Sequence, residues 1–334
     1  MAKQEIKRLS ALLSYPFETG MVDALSEADS VLISGASYWA KATKKADILT
    51  YHYPDYAVWR DQGFSVLEGY PSNKKYQWVL CHLPKQKEAS QYQLARALVI
   101  LEDDGQLIAM AANDAGGKRL EKWFQDLGLK PTLASKSKCR IVWAKKENVI
   151  SEIKEKYLDA GAPHLCGVDE YQFMTQAGIF GWNKIDTGSV LLSDFLPDDL
   201  KGVGADFGCG YGFLADHVLT YCEGVQKLIV ADADARALNC CRMNLEKFDA
   251  DIDFQWCDLT DVSLGFEPLD FIIMNPPFHD GKMSDSDIGL KFINKASQSL
   301  KKSGVLYMVA NAHLPYEKKL ETQFTKIDKL DESQ

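Results

Sequence analysis

The segment DFIIMNPPFHDG, residues 270–281, ends an apolar run on an amide, two prolines and an aromatic ring. Pro276 and Pro277 have no backbone N–H and fix the local φ angles, so their carbonyls and the Asn275 amide oxygen can be held toward one point. Such a set accepts hydrogen bonds from an amino group. The exocyclic NH2 of a purine is a poor nucleophile because its lone pair is delocalised into the ring. Preorganised acceptors for its protons favour the charge that develops on nitrogen as a methyl group arrives. Phe278 offers a flat face on which a base can stack, worth roughly 1–3 kcal/mol. His279 is a candidate substrate contact.

A second constellation lies upstream. ADFGCGYGFLADHVL, from residue 205, carries Gly208, Gly210 and Gly212 where a strand passes into a helix. Glycines there allow a tight turn and a close ligand approach, and the helix start offers free N–H groups. The spacing is not the G-x-G-x-x-G of dinucleotide folds. Asp206 stands just ahead of the first glycine, where a carboxylate repels pyrophosphate and accepts from an ammonium group. Asp232, in LIVADADARAL, ends the next strand and can take both hydroxyls of a ribose. Asp258, in FQWCDLT, ends the third and can accept from an adenine amine. Ammonium, ribose and adenine together spell S-adenosylmethionine. Asp234 is expected to cap the helix that follows.

These residues need a sheet whose strands end side by side. VGADF (203–207), KLIVAD (227–232), DFQW (253–256), DFIIMN (270–275) and VLYMVAN (305–311) are short and largely apolar, and helical patterns separate them. That rhythm means a parallel sheet covered on both faces, which binds ligands at the carboxyl ends of its strands. The first half repeats it more faintly in VLISGAS (31–37), DILTYHYP (47–54), YQWVLCHLPK (76–85), QLIAMAAND (106–114) and RIVWAK (140–145), with a helix at KEASQYQLARALVIL. GQLIAMAAND echoes GVLYMVANAH, which implies a duplicated α/β unit. Charged KKENVISEIKEKYLDAGAPH (145–164) reads as a helical linker. The boundary is expected within residues 146–175, giving domains of 1–150 and 151–334.

Composition excludes other classes. At 334 residues, 46% hydrophobic and 25% charged, the chain is globular, and no apolar run reaches a membrane-spanning length of about 18 residues. The charged start MAKQEIKR argues against a secretory leader, so a cytoplasmic location is expected. Eight cysteines contain no C-x-x-C pair and the six histidines are not spaced as ligands around them, which argues for reduced thiols and against zinc. The net charge of −9 is uneven. Residues 1–150 hold 21 basic and 17 acidic side chains, residues 151–334 hold 17 and 30, a net of +4 and −13. The first half can therefore present a basic face to a polyanion.

With these motifs together, the chain resembles class I S-adenosylmethionine-dependent methyltransferases, and within them the ribosomal RNA guanine-N2 methyltransferases of the RsmC and RlmG type. ADFGCGYG is similar to their glycine motif, NPPFHDG to their catalytic motif, and KIDTGSVLLSDFLP and GVLYMVANAHLPYEKKLETQF to flanking segments. LPKQKEASQYQL and SKSKCRIVW resemble parts of the degenerate methyltransferase-like domain that precedes the active one. N-P-P-[FY] alone is shared with adenine-N6 and glutamine-N5 methyltransferases, and a non-catalytic RNA-binding assembly factor is a further alternative. The resemblance implies two tandem Rossmann-like units, the first degenerate and without cofactor. Asp206, Gly208, Gly210, Gly212, Asp232, Asp258 and Asn275 would hold S-adenosylmethionine; Asn275, Pro276, Pro277 and Phe278, with His279, would hold a guanine of ribosomal RNA. The first domain would support folding or grip RNA through Lys118, Arg119, Lys122, Lys136, Lys138 and Arg140. A monomer is the favoured state. The family's sheet has a closing strand for which the polar TKIDKLDESQ offers no β-rich run.

Overall fold

The computed structural model describes residues 11–26, 29–35, 45–168, 171–277, 286–311, 313 and 316–330. The chain divides into two compact units, 1–162 and 163–334.

The first unit runs α1 (Tyr15–Glu18), β1 (Val31–Ser34), β2 (Asp47–Leu49), α2 (Tyr53–Asp61), β3 (Ser65–Leu67), β4 (Tyr76–His82), α3 (Lys87–Ile100), β5 (Leu101–Ala112), α4 (Lys118–Asp126), β6 (Thr132–Lys136), β7 (Cys139–Lys145) and α5 (Ser151–Gly161). Its seven strands lie in the order β3-β2-β1-β4-β5-β7-β6. The first five are mutually parallel, and β7 enters antiparallel to both β5 and β6. Leu94, Leu98 and Phe124 fill one face; Leu13, Trp59 and Trp78 fill the other.

Two sequence expectations shift. DILTYHYP is a strand only to Leu49, because Pro54 sits in the first turn of α2, where its missing N–H costs nothing. The expected linker helix is α5, and it packs against α3. Tyr157 is buried in the core of the first unit, and a Cβ at Gly161 would stand 2.2 Å from Tyr92 Cβ. The unit break therefore falls after this helix, between 162 and 163, inside the expected window of 146–175 and past the nominal 150/151 division.

The second unit opens with the hairpin β8 (His164–Val168) and β9 (Tyr171–Thr175). It continues α6 (Thr187–Phe195), β10 (Lys201–Phe207), α7 (Phe213–Tyr221), β11 (Gly224–Asp232), α8 (Ala235–Leu245), β12 (Ile252–Trp256), β13 (Leu269–Met274), α9 (Ser286–Ser299), β14 (Leu300–Met308) and α10 (Glu317–Gln323). The order β12-β11-β10-β13-β14 is parallel throughout and reproduces the first five positions of the other sheet. Both units are thus Rossmann-like α/β layers with the strand reversal between their first and fourth sheet strands. Among the described residues β14 pairs only with β13, so this sheet carries no counterpart of β6 and β7. No described helix is long and apolar enough to cross a membrane.

Candidate active site

In the second unit the reversal lies between β10 and β13, whose tips hold the two constellations. Asp206 pairs across with Ile273 in the register. Beyond β10 the backbone makes three left-handed excursions, at Gly208 (φ 77°), Gly210 (φ 56°) and Gly212 (φ 90°), which non-glycine residues adopt only under strain. The Gly208 and Cys209 N–H groups donate to Ala231 O at 2.8 and 3.1 Å, anchoring the turn to the end of β11. Among the described residues nothing lies within 4 Å of where a Gly210 Cβ would project. Gly212 acts elsewhere: a Cβ there would come within 2.7 Å of Cys241 Sγ, so this glycine lets α7 start against α8.

One crevice is lined by Asp206, Gly208, Gly210 and Asn275, joined by Phe180, Asp186, Ser189 and Tyr211. Asp206 is 1% exposed, and neither oxygen of its carboxylate meets a donor in hydrogen-bonding geometry among the described residues. Burial first, then the charge of Asp232, push its carboxyl up to about 8, against a pull from the Ala215 backbone N–H in the first turn of α7. A buried carboxyl left without a partner is costly, and a cationic ligand group would satisfy it.

The other acids behave differently. Asp232 Oδ2 accepts from Gly210 N at 2.9 Å and Oδ1 from Asp234 N at 2.8 Å, so this side chain holds the glycine turn to the tip of β11. Burial raises its carboxyl to about 6, those N–H groups pulling the other way. Asp258 Oδ1 accepts from Thr260 N and Oγ1 at 2.8 and 2.7 Å. Neither Asp232 nor Asp258 lines the crevice itself. Asp234 caps α8 by accepting from Arg236 N at 2.9 Å.

At the tip of β13, Asn275 Nδ2 donates to Asp186 Oδ2 and to Ser189 Oγ, both at 2.9 Å. Asp186 is the N-cap of α6, accepting from Ser189 N at 2.9 Å. Pro276 is buried and Pro277 exposed, while Phe278 and His279 lie outside the described residues. The sequence reading did not single out Asp186, Ser189 or Phe180. Phe180 exposes 58% of its surface at the crevice. Asp186 ahead of TGSVLL was the available signal for the first, since Asp is a preferred N-cap before a helical apolar run, while the sequence carried none for Ser189.

The residues present fit S-adenosylmethionine: an orphaned acid for its ammonium group, a glycine cradle without side chains, and Asp232 and Asp258 at the next strand tips. The described residues at the corresponding place in the first unit differ. By register Ile33, paired with Leu80 and two residues before Gly35, stands where Asp206 stands, and His82 stands where Asn275 stands. A Gly35 Cβ would meet His82 O at 2.4 Å, and Gln93 Nε2 donates to Ser34 Oγ at 2.9 Å. The tips of β1 and β4 close on each other.

In the first unit the β6–β7 hairpin turns through Ser137 and Lys138, both left-handed. Asn113 N–H donates to Lys138 O at 2.9 Å, which brings the hairpin tip to the turn where α4 begins. Lys118, Arg119, Lys136, Lys138 and Arg140 therefore share one corner, and no described carboxylate pairs with them. Lys136 Nζ lies 4.8 Å over the Tyr15 ring, and Arg140 Nη1 donates to Ser135 Oγ at 2.6 Å. Lys122 instead pairs with Asp126 at 3.1 Å.

Comparison with known proteins adds the following. Residues 170–334 match the Methyltransferase small domain family and residues 28–158 its N-terminal companion, Methyltransferase small domain N-terminal. Ribosomal RNA small subunit methyltransferase C of Shewanella halifaxensis is 32% identical over 272 residues, covering 77% of this chain and 75% of that protein. The protein of that name from Shewanella sediminis is 28% identical over 305 residues, covering 86% and 84%. A solved T. thermophilus 16S rRNA N2 methyltransferase (RsmC), in complex with AdoMet and guanosine, superimposes with a TM-score of 0.75 at 20% identity. It covers 95% of this chain and 87% of that one, and the likeness is one of fold.

Proposed function

This chain belongs to the ribosomal RNA small subunit methyltransferase C family, and from that premise we propose that it methylates the exocyclic N2 amine of a guanine in small-subunit ribosomal RNA, with S-adenosylmethionine as donor. One observation carries the reading at the level of the site: an orphaned buried acid and a tethered amide sit at the tips of neighbouring strands and line one crevice. When bound, S-adenosylmethionine supplies an electrophilic methyl group. The protein's part is to hold and orient. Asp206 accepts from the ammonium group, while Asp232 fixes the turn through Gly210 and offers its remaining lone pairs to ribose hydroxyls. Asp258, with Oδ2 free of any described donor, is placed for the adenine amine. Asn275 Oδ1 and the Pro276 carbonyl accept hydrogen bonds from the guanine amine and so favour positive charge on its nitrogen. The base must be turned out of any helix to reach them, and Phe278, with His279 beside it, is assigned to stack on and contact it.

The first unit's share is a grip on RNA phosphates through Lys118, Arg119, Lys136, Lys138 and Arg140. Arrangement in three segments, with no described acid neutralising them, supports this. Every residue assigned to catalysis comes from one unit, which supports action as a monomer, and a ribosomal RNA substrate supports a cytoplasmic location.

The test uses methyl-labelled S-adenosylmethionine with small-subunit RNA, followed by digestion to nucleosides. Label is expected in N2-methylguanosine; label in adenine or in protein glutamine would contradict the reading. Asn275→Ala should lower kcat about 100-fold with cofactor Kd little changed, whereas Asp232→Ala should chiefly raise that Kd. Equal loss of cofactor binding in both variants would undo this division of labour.

A further inference from the structure

We infer that Asp186 and Ser189 are positioning residues: they set which edge of the Asn275 amide faces the substrate. A primary amide has a donor edge and an acceptor edge of nearly the same shape, and rotation by half a turn exchanges them. Only the acceptor edge can serve an incoming amine, which is itself a donor. The rotated amide would set NH2 against NH2.

A carboxylate has no proton to give, so the Asp186 Oδ2 at 2.9 Å admits only the Nδ2 edge. Ser189 Oγ, also at 2.9 Å, takes the second proton of the same nitrogen. Both Nδ2 protons are thereby used on α6, and no described residue donates to Oδ1. The clamp is itself fixed, since the same Asp186 oxygen accepts the Ser189 backbone N–H at 2.9 Å as the N-cap of α6. The first turn of one helix thus dictates the chemistry presented at the tip of a strand far away in sequence. All three residues line the crevice. Asp186 and Ser189 act through Asn275; neither is assigned contact with the reacting atoms.

The inference rests on the methyl-transfer reading, so its test has one arm that needs no turnover. In ligand-free protein, the Asn275 side-chain NH2, identified by its loss in Asn275→Ala, should exchange with solvent about tenfold more slowly than a free asparagine amide, and Ser189→Ala should speed it. In the kinetic arm, Ser189→Ala should lower kcat about tenfold with KM for RNA and Kd for S-adenosylmethionine within about twofold, and Ser189→Thr, which keeps the hydroxyl, should recover most of it. In an Asn275→Ala background, Ser189→Ala should cost nothing further, because the group it acts through is gone. Asp186→Ala should lower kcat more, with its melting temperature recorded because the helix cap is also lost. Free exchange of the Asn275 amide in the unsubstituted protein would overturn the inference. So would an equal loss of kcat from Ser189→Ala with and without Asn275. A protein that holds this amide yet transfers no methyl to RNA would remove the functional reading and leave the clamp standing.

Discussion

Asp206 shows how a residue can be poor for the fold and good for the ligand. Its carboxyl, raised to about 8 by burial and by Asp232, is largely protonated at neutral pH in the ligand-free protein. An ammonium group binds the ionised form. Affinity for S-adenosylmethionine should therefore rise between pH 6 and 8, by at most about tenfold per unit, and peak near pH 8, where the ligand's own α-ammonium begins to lose its proton. Calorimetry at pH 7 in two buffers of different ionisation heat should register release of most of one proton; zero release would contradict the assignment. The same raised value makes the ligand-free fold lose stability as pH climbs from the ordinary carboxyl value toward 8. Asp206→Asn should cancel that loss, on the order of 5 kcal/mol at most by pH 9, while weakening cofactor binding. The sequence disclosed this acid because it precedes a glycine turn. It did not disclose that Asp232 would face the turn's backbone, since strand-end carboxylates look alike until hydrogen-bond partners are known.

Among elements, the central strands of both sheets were legible because parallel strands covered on two faces are largely apolar throughout, as VLI, LIVA and FIIM show. The short edge pieces were not. Ser65–Leu67 and Thr132–Lys136 are half exposed and carry no clear alternation, and α6 begins in D-T-G-S, which resembles a loop until its cap is seen. The β8–β9 hairpin was hidden for the same reason, yet it bears on the site. Asn244 of α8 donates to Met174 O and Tyr211 O at 2.9 and 2.8 Å and accepts from Met174 N at 2.7 Å, so one side chain ties the hairpin to the glycine turn. Asn244→Ala leaves those groups without partners and should loosen the turn, raising the cofactor Kd several-fold and lowering the melting temperature by a few degrees. An unchanged Kd would show that the turn needs no such tie.

Taken whole, the molecule repeats one strand order with opposite charge in its two halves, +4 and −13. Counterion release links bound phosphates to the salt dependence of affinity at about 0.7 per contact on single strands. Replacing Lys118, Arg119 and Lys138 together by alanine should therefore reduce the slope of log K against log salt by about 2, with kcat at saturating RNA unchanged. An unaltered slope would take the grip away from this corner.

The closed tips of β1 and β4 have a consequence for anyone wishing to engineer a second working copy. Ile33→Asp would not by itself install a receptor for a sulfonium nucleoside, because Gly35 abuts the His82 carbonyl so closely that even a Cβ would stand 2.4 Å from that oxygen. The change would bury an acid among leucines and degrade the domain. Building such a site there requires parting two backbones, which point substitutions at the motif cannot do.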